Sequence, residues 1–314
     1  MPRLRDRLTD AGYGLGWSVV CRLPESWAQR GFRFAADRAW RRRGPGVQVL
    51  EGNLRRVIGS QAPGGELRAL SRQAMRSYAR YWLEAFRLPA MPAGRLIGGV
   101  HDTGHIRAAF EYLAAGRGVV FALPHMGNYD LAGVWVTTKL NTPFTTVAER
   151  LKPESLYDRF VAYREGLGME VLPHTGGAAF GTLARRLRDG GLVCLVADRD
   201  LSSSGIPVTF FGEETKMPAG PAMLALQTGA MLLPVTLWYD DSAVMRGRVY
   251  PEIDVPETGT RVEKAHRMTQ TLADAFASGI ADHPTDWHML QRLWLADLEP
   301  RPENGPVATG SETS

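Results

Sequence analysis

Six residues, His125-Met126-Gly127-Asn128-Tyr129-Asp130, place an imidazole and a carboxylate with four residues between them, just after the apolar run Val119-Val120-Phe121-Ala122-Leu123. Histidine titrates near neutrality, and a neighbouring carboxylate can orient it as a general base. The same residues also suit the start of a helix. Asn128 is a good N-cap, and Asp130 falls in the first turn, where the helix dipole favours negative charge. A helix start does not account for His125 at the strand tip, or for Gly127, which lets another molecule approach the backbone. Three further segments follow strand-like runs. Asp198-Arg199-Asp200 opens a polar loop, Ser202-Ser203-Ser204-Gly205, and reads either as a site edge or as a solvated loop with Arg199 pairing its neighbours. Phe210-Phe211 precedes the small-residue run Pro218-Ala219-Gly220-Pro221-Ala222, and reads as the wall of an acyl groove or as core. Glu149 and Arg150 sit at another strand end with Arg164 on the next helix, and these arginines suit phosphate groups. The chain has no Gly-x-Ser-x-Gly elbow, no Gly-Lys-Ser/Thr phosphate loop and no His-Glu-x-x-His zinc helix. The two cysteines, Cys21 and Cys194, give no metal spacing and suit a reducing compartment. His125 would therefore act on a substrate hydroxyl directly, with no metal and no protein nucleophile.

These residues need elements to hold them. Residues 1–100 read as helices. Residues 25–42 carry Trp27, Phe32, Phe34 and Trp40 among arginines. Residues 66–87 carry Leu67, Leu70, Ala74, Tyr78, Tyr81, Trp82 and Phe86 at helical spacing, with Arg68, Arg72, Arg76 and Arg80 interleaved. From residue 101 the pattern alternates between helices and β-rich runs. Strands are expected at 118–123, 144–148, 169–172, 192–197, 231–239 and 246–255. Helices are expected at 103–115, 129–140, 153–167, 178–189, 218–227 and 261–280. The fold class is α/β: a single domain with a central, mostly β-sheet core flanked by helices, plus an N-terminal helical region. Its parts are a basic helical region at 1–100 packed on the core, an α/β core at 101–298 and a disordered tail at 299–314 rich in Pro, Gly, Ser, Thr and Glu.

Charge is divided unevenly. Residues 1–100 hold 18 arginines, no lysine and seven acidic residues, a net +11; the rest holds 19 basic and 26 acidic residues, a net −7. Such a basic third implies an anionic partner: a membrane surface, a phosphorylated substrate or nucleic acid. Nucleic acid is disfavoured, because no reading module is present and the aromatics lie on the apolar helix face. No signal peptide is visible, and no apolar stretch approaches the roughly 20 residues that span a bilayer.

In order along the chain stand His125-x-x-x-x-Asp130, Glu149-Arg150, Asp198-Arg199-Asp200, Phe210-Phe211-Gly212, Met217-Pro218-Ala219-Gly220, Leu233-Pro234-Val235 and His283-Pro284-Thr285-Asp286-Trp287-His288-Met289-Leu290-Gln291-Arg292. Over roughly residues 100–295 this order resembles the lysophospholipid acyltransferase superfamily, and most closely the branch of lipid A late acyltransferases and phosphatidylinositol mannoside acyltransferases. The resemblance implies transfer of a fatty acyl group, typically palmitoyl, from acyl-CoA as co-substrate to a mannose hydroxyl of a phosphatidylinositol mannoside, with no resident cofactor. Another glycolipid or lysophospholipid hydroxyl is the alternative acceptor. It also implies a peripheral enzyme at the cytoplasmic face of the plasma membrane, held there by its basic helices on an anionic surface. In that frame His125 is the base, Asp130 bonds its other ring nitrogen, and Gly127 and Asn128 amides face the oxyanion. Asp200 positions the sugar or assists His125, with Asp198 as the competing acid; Arg150 and Arg164 meet anionic groups of coenzyme A or inositol phosphate. Glu149, Arg199, Phe210 and Phe211 complete the expected substrate-binding set.

Overall fold

The strands that carry the candidate residues sit side by side in one seven-stranded sheet. The computed structural model describes residues 20–148, 154–173, 178–200, 202–240 and 244–298. The expected tail from residue 299, together with Glu149 and Arg150, lies outside the described residues. Helices α1 (Glu25–Arg42), α2 (Pro45–Ile58), α3 (Gly64–Arg87) and α4 (Ala93–Gly98) come first. Then follow β1 (Val100–Asp102), α5 (Ile106–Ala114), β2 (Val119–Leu123), α6 (Tyr129–Leu140), β3 (Phe144–Ala148), α7 (Glu154–Gly166), β4 (Met169–Pro173), α8 (Ala178–Arg188) and β5 (Leu192–Val196). The hairpin β6 (Ile206–Phe210) and β7 (Glu213–Met217) leads to α9 (Gly220–Thr228), β8 (Met231–Tyr239), β9 (Met245–Val249) and α10 (Arg261–Asp282). The sheet order is β1-β9-β8-β2-β5-β3-β4, parallel except for the β8–β9 pair.

Strand β2 is buried at all five residues, as a central parallel strand covered on both faces must be. Its side chains alternate between two cores. Val120 and Ala122 pack with α8, α9 and α10; Val119, Phe121 and Leu123 pack with α6 residues Leu131, Val134 and Trp135. The expected strand 246–255 ends earlier, at Val249. Pro251 has no N–H to give a ladder, and only single bonds from Tyr250 N to Pro234 O and Ile253 N to Leu232 O follow β8 onward.

The N-terminal helices are fastened to the sheet-bearing part by buried polar groups. Asn53 on α2 donates to the carbonyls of Met289 and Gln291 and accepts from the Trp294 indole. The interleaved arginines of α3 do not form an outward basic face. Arg72 and Arg76 both clasp Asp37 of α1, Arg68 pairs with Glu51 and stacks on Trp40, and Arg80 pairs with Glu84. Outward exposure falls on α1, where Trp27 and Phe34 are 66% and 65% exposed beside exposed Arg30, Arg38 and Arg41.

Candidate active site

Sheet register explains the central contact. β2 and β5 run parallel with Leu123 opposite Val196, so the residues two places beyond each strand, His125 and Asp198, emerge side by side. His125 Nδ1 lies 2.6 Å from Asp198 Oδ1, and the His125 amide donates to Asp198 Oδ2 at 2.9 Å. The Trp287 indole N–H donates to the same Oδ2 at 3.0 Å. Asp198 is fully buried while the His125 side chain is 44% exposed. Burial alone would push the Asp198 carboxyl up; the imidazole charge, its hydrogen bond and the indole outweigh that and hold it below the usual carboxylate range. A carboxylate on Nδ1 fixes that nitrogen as the N–H, which leaves Nε2 as the basic nitrogen. The pair lies beyond the carboxyl ends of parallel strands, where open α/β sheets bind ligands.

Asp130 does something else. Asn128 caps α6 by accepting the Leu131 N–H at 2.9 Å, as expected. That helix start turns Asp130 toward α7 and α3, where Oδ1 accepts from Arg164 Nε and Oδ2 from the Tyr81 hydroxyl, both at 2.9 Å. Among the described residues Asp130 makes no hydrogen bond to His125, so the expected Asp130–imidazole bond is replaced by the Asp198 bond. Arg164 is correspondingly committed. Burial would lower its pKa, but Asp130 outweighs that and keeps it firmly protonated. At 12% exposure its side chain is an internal counter-ion of Asp130 and not an open phosphate ligand.

The expected oxyanion amides are also engaged. Gly127, at φ +61, donates its N–H to Asp286 O at 2.9 Å, and the Asn128 N–H points at Met245 Sδ at 3.2 Å. A side chain at Gly127 would run into Leu237, so the turn needs glycine for space as well as for φ. In the acidic loop, Asp200 closes a local turn by accepting the Ser202 N–H at 2.8 Å, and Arg199 Nε donates to the Arg292 carbonyl. Neither residue is bonded to His125 through a described contact; geometry decides between the two acids in favour of Asp198.

Phe210 and Phe211 brace the pair from behind. Residues 211 and 212 both have positive φ, the requirement of a two-residue type I′ hairpin turn. The turn packs Phe210 and Phe211 on Trp287 at 6.0 and 6.3 Å and on Trp294 at 5.6 and 6.5 Å. They form core under the indole that holds Asp198, and do not line the apolar cavity. That cavity, a slot of about 90 Å³, runs between α6 and the sheet. Phe121, Leu123, Tyr129, Trp135, Cys194 and Val235 are among its walls.

The segment after α10 supplies the residues that local sequence reading misses. The His288 N–H donates to the His125 carbonyl at 2.8 Å, and Ser77 Oγ links Asp286 Oδ1 at 2.5 Å to His288 Nε2 at 2.9 Å. Burial pushes Asp286 up to about 6 and His288 down to about 3, so this imidazole stays neutral. The run of residues 283–292 carries the signal, but its side-chain partners lie between 47 and 238 positions away in the chain.

The chain matches the bacterial lipid A biosynthesis acyltransferase family over residues 4–296. It is 52% identical to the phosphatidylinositol mannoside acyltransferase of Mycolicibacterium smegmatis over 297 residues, which is 94% of each chain. It is 48% identical to the protein of the same name in Mycobacterium tuberculosis over 302 residues, covering 92% of this chain and 90% of that one.

Proposed function

The chain belongs to the bacterial lipid A biosynthesis acyltransferase family, and on that premise we propose that it moves a fatty acyl group, palmitoyl in the first instance, from acyl-CoA to a mannose hydroxyl of a phosphatidylinositol mannoside. The observation that carries the chemistry is the His125–Asp198 bond at the carboxyl end of the sheet, beside an apolar slot. His125 Nε2 takes the proton of the acceptor hydroxyl as that oxygen attacks the thioester carbonyl. Asp198 stabilises the imidazolium so formed. The tetrahedral intermediate then collapses, the C–S bond breaks, and the imidazolium returns its proton to the departing thiolate of coenzyme A. With the Gly127 and Asn128 amides engaged, the positive end of α6 is the remaining local source of oxyanion stabilisation.

The slot is smaller than the roughly 300–1,000 Å³ of ordinary ligand pockets, so an acyl chain enters by widening the seam between α6 and the sheet. No helix among the described residues is long and apolar enough to cross a membrane. Peripheral attachment at the cytoplasmic face of the plasma membrane, through the N-terminal helices, fits the exposed Trp27 and Phe34.

The test is incubation with radiolabelled palmitoyl-CoA and a panel of mannosylated phosphatidylinositol, lysoglycerolipid and lipid A precursor acceptors. Label is expected in the mannoside and to vanish with His125→Ala. Label confined to a glycerol ester would overturn the acceptor; full transfer by the variant would overturn the mechanism.

A further inference from the structure

A second and larger cavity, of about 540 Å³, lies between α1 and α3 and has no part in the chemistry above. Arg33, Arg76, Arg80, Arg87 and Arg95 line it, and Arg72 stands one turn from Arg76 on the same helix. These six guanidinium groups face four carboxylates: Glu25, Glu84 and Asp286 in the walls and Asp37 behind them. Asp37 is shared by Arg72 and Arg76, Glu84 takes Arg80, and Glu25 takes Arg95. Arg87 donates to the carbonyls of Val20 and Leu23. Arg33 has no ion-pair partner among the described residues. The cluster therefore holds two positive charges more than negative ones. Each guanidinium carries five N–H donors; Asp37 takes two from Arg72 and two from Arg76, and Glu25 takes two from Arg95. Gln29, Gln73 and Ser77 add uncharged groups that suit hydroxyls.

We propose that this cavity binds the phosphodiester headgroup of an anionic phospholipid, with arginines on the phosphate and the neutral polar groups on the polyol. The excess charge matches a phosphate ester, and arginine is the side chain best shaped to bind one. Position selects a lipid as the source. The cavity lies on the inner side of α1, whose outer side exposes Trp27 and Phe34 flanked by Arg30, Arg38 and Arg41. A helix is about 10 Å across, and interfacial aromatics sit about 5–10 Å into the headgroup boundary. Seating Trp27 and Phe34 there leaves the cavity level with the headgroups. The floor faces the catalytic turn, since Glu84 accepts the Asn128 side-chain amide at 3.0 Å and the Asp286 carbonyl accepts the Gly127 N–H. A lipid held here fixes the bilayer on the α1–α3 side of His125. The inference does not depend on which acceptor the enzyme uses.

The test uses the full chain and soluble glycerophosphoglycerol in calorimetric titration, with inorganic phosphate and coenzyme A as parallel titrants. Saturable binding of the diester is expected. Arg33→Glu with Gln73→Glu places new negative charge on opposite walls, both at exposed positions, and is expected to weaken the diester by at least roughly tenfold while leaving coenzyme A unchanged. Arg30→Glu, on the outer face of α1, is expected to leave the diester unchanged. Sedimentation with phosphatidylglycerol vesicles should fall in the Arg33→Glu, Gln73→Glu variant, and sedimentation with phosphatidylcholine vesicles should not; Arg30→Glu lowers vesicle retention through the outer face alone and leaves the soluble diester untouched. Absence of diester binding, equal weakening by Arg30→Glu, phosphate binding as tightly as the diester, or loss of coenzyme A affinity in the double variant would each overturn the proposal.

Discussion

Asp130 and Asp198 are both buried carboxylates beside a basic group, yet their neighbours divide the work between them. Asp198 bonds the His125 imidazole, the base of the proposed mechanism; Asp130 neutralises a buried arginine. Asp198→Asn keeps the shape but removes the charge that stabilises the imidazolium, and a wrong tautomer follows. A kcat loss of about 10²–10⁴ is expected, with a much smaller change in melting temperature. Asp130→Asn leaves Arg164 without its counter-ion. A loss of about 3–5 kcal/mol of stability is expected, with turnover per folded molecule largely kept. Denaturation curves and active-site-normalised kinetics on both variants separate the two roles; an inverted pattern would return the catalytic part to Asp130. Asp286 adds a pH signature. Its folded pKa, pushed up to about 6 by burial, exceeds the unfolded value of about 3.9. A raised acid pKa means that the fold binds the proton more tightly. Its stabilising contribution is complete below about pH 4 and is lost as pH rises through about 6, a change of about 3 kcal/mol. Asp286→Asn should flatten that part of the stability–pH curve relative to the parent chain.

At the level of elements, period and composition were sufficient where a segment is long and one-sided. Helices α1, α3 and α5 to α10 and the buried strands β2, β3, β4, β5 and β8 stand close to their expected bounds. Short or interrupted segments escaped. β1 has three residues, and the β6–β7 hairpin carries Pro207 and the charged Glu213, Glu214 and Lys216, which blur its alternation. The partner of His125 escaped for a related reason. A chain read in order favours the acid five positions on, whereas the true neighbour arrives from 73 positions away, by the β2–β5 register. Asn128 as a cap was legible because capping is local. The apolar slot beside α6 depends on one close approach between elements. Gly133 of α6 sits over β3 and β4, and a Cβ there would lie 2.8 Å from the Phe144 ring and 3.2 Å from Met169 Cε. Gly133→Leu is expected to cost about 1–3 kcal/mol and to shift preference toward shorter acyl groups. Competition among eight-, twelve- and sixteen-carbon acyl-CoA donors reads this directly. Unchanged preference in a folded variant would remove the slot from the acyl path.

Across the described residues, basic charge and the two large exposed aromatics, Trp27 and Phe34, coincide on the N-terminal helices. The net +11 lies in residues 1–100, yet α3 holds several of its arginines in internal ion pairs, so net charge overstates what a membrane would feel. What α1 presents outward is narrower: two exposed aromatics seven residues apart and Arg30, Arg38 and Arg41. Two forces of different salt sensitivity then act on docking. Attraction between exposed arginines and anionic lipid is screened over about 10 Å at 0.1 M salt, whereas burial of aromatic surface is not screened. Retention on anionic vesicles should therefore fall steeply as salt is raised and level off at a residual set by Trp27 and Phe34. Trp27→Ala with Phe34→Ala should remove that residual and leave the steep part. Both side chains are already exposed, so the fold and turnover on a water-soluble acceptor should stay near the parent values. A residual that survives in the double variant would place the apolar anchor elsewhere on the molecule, and would separate membrane attachment from α1.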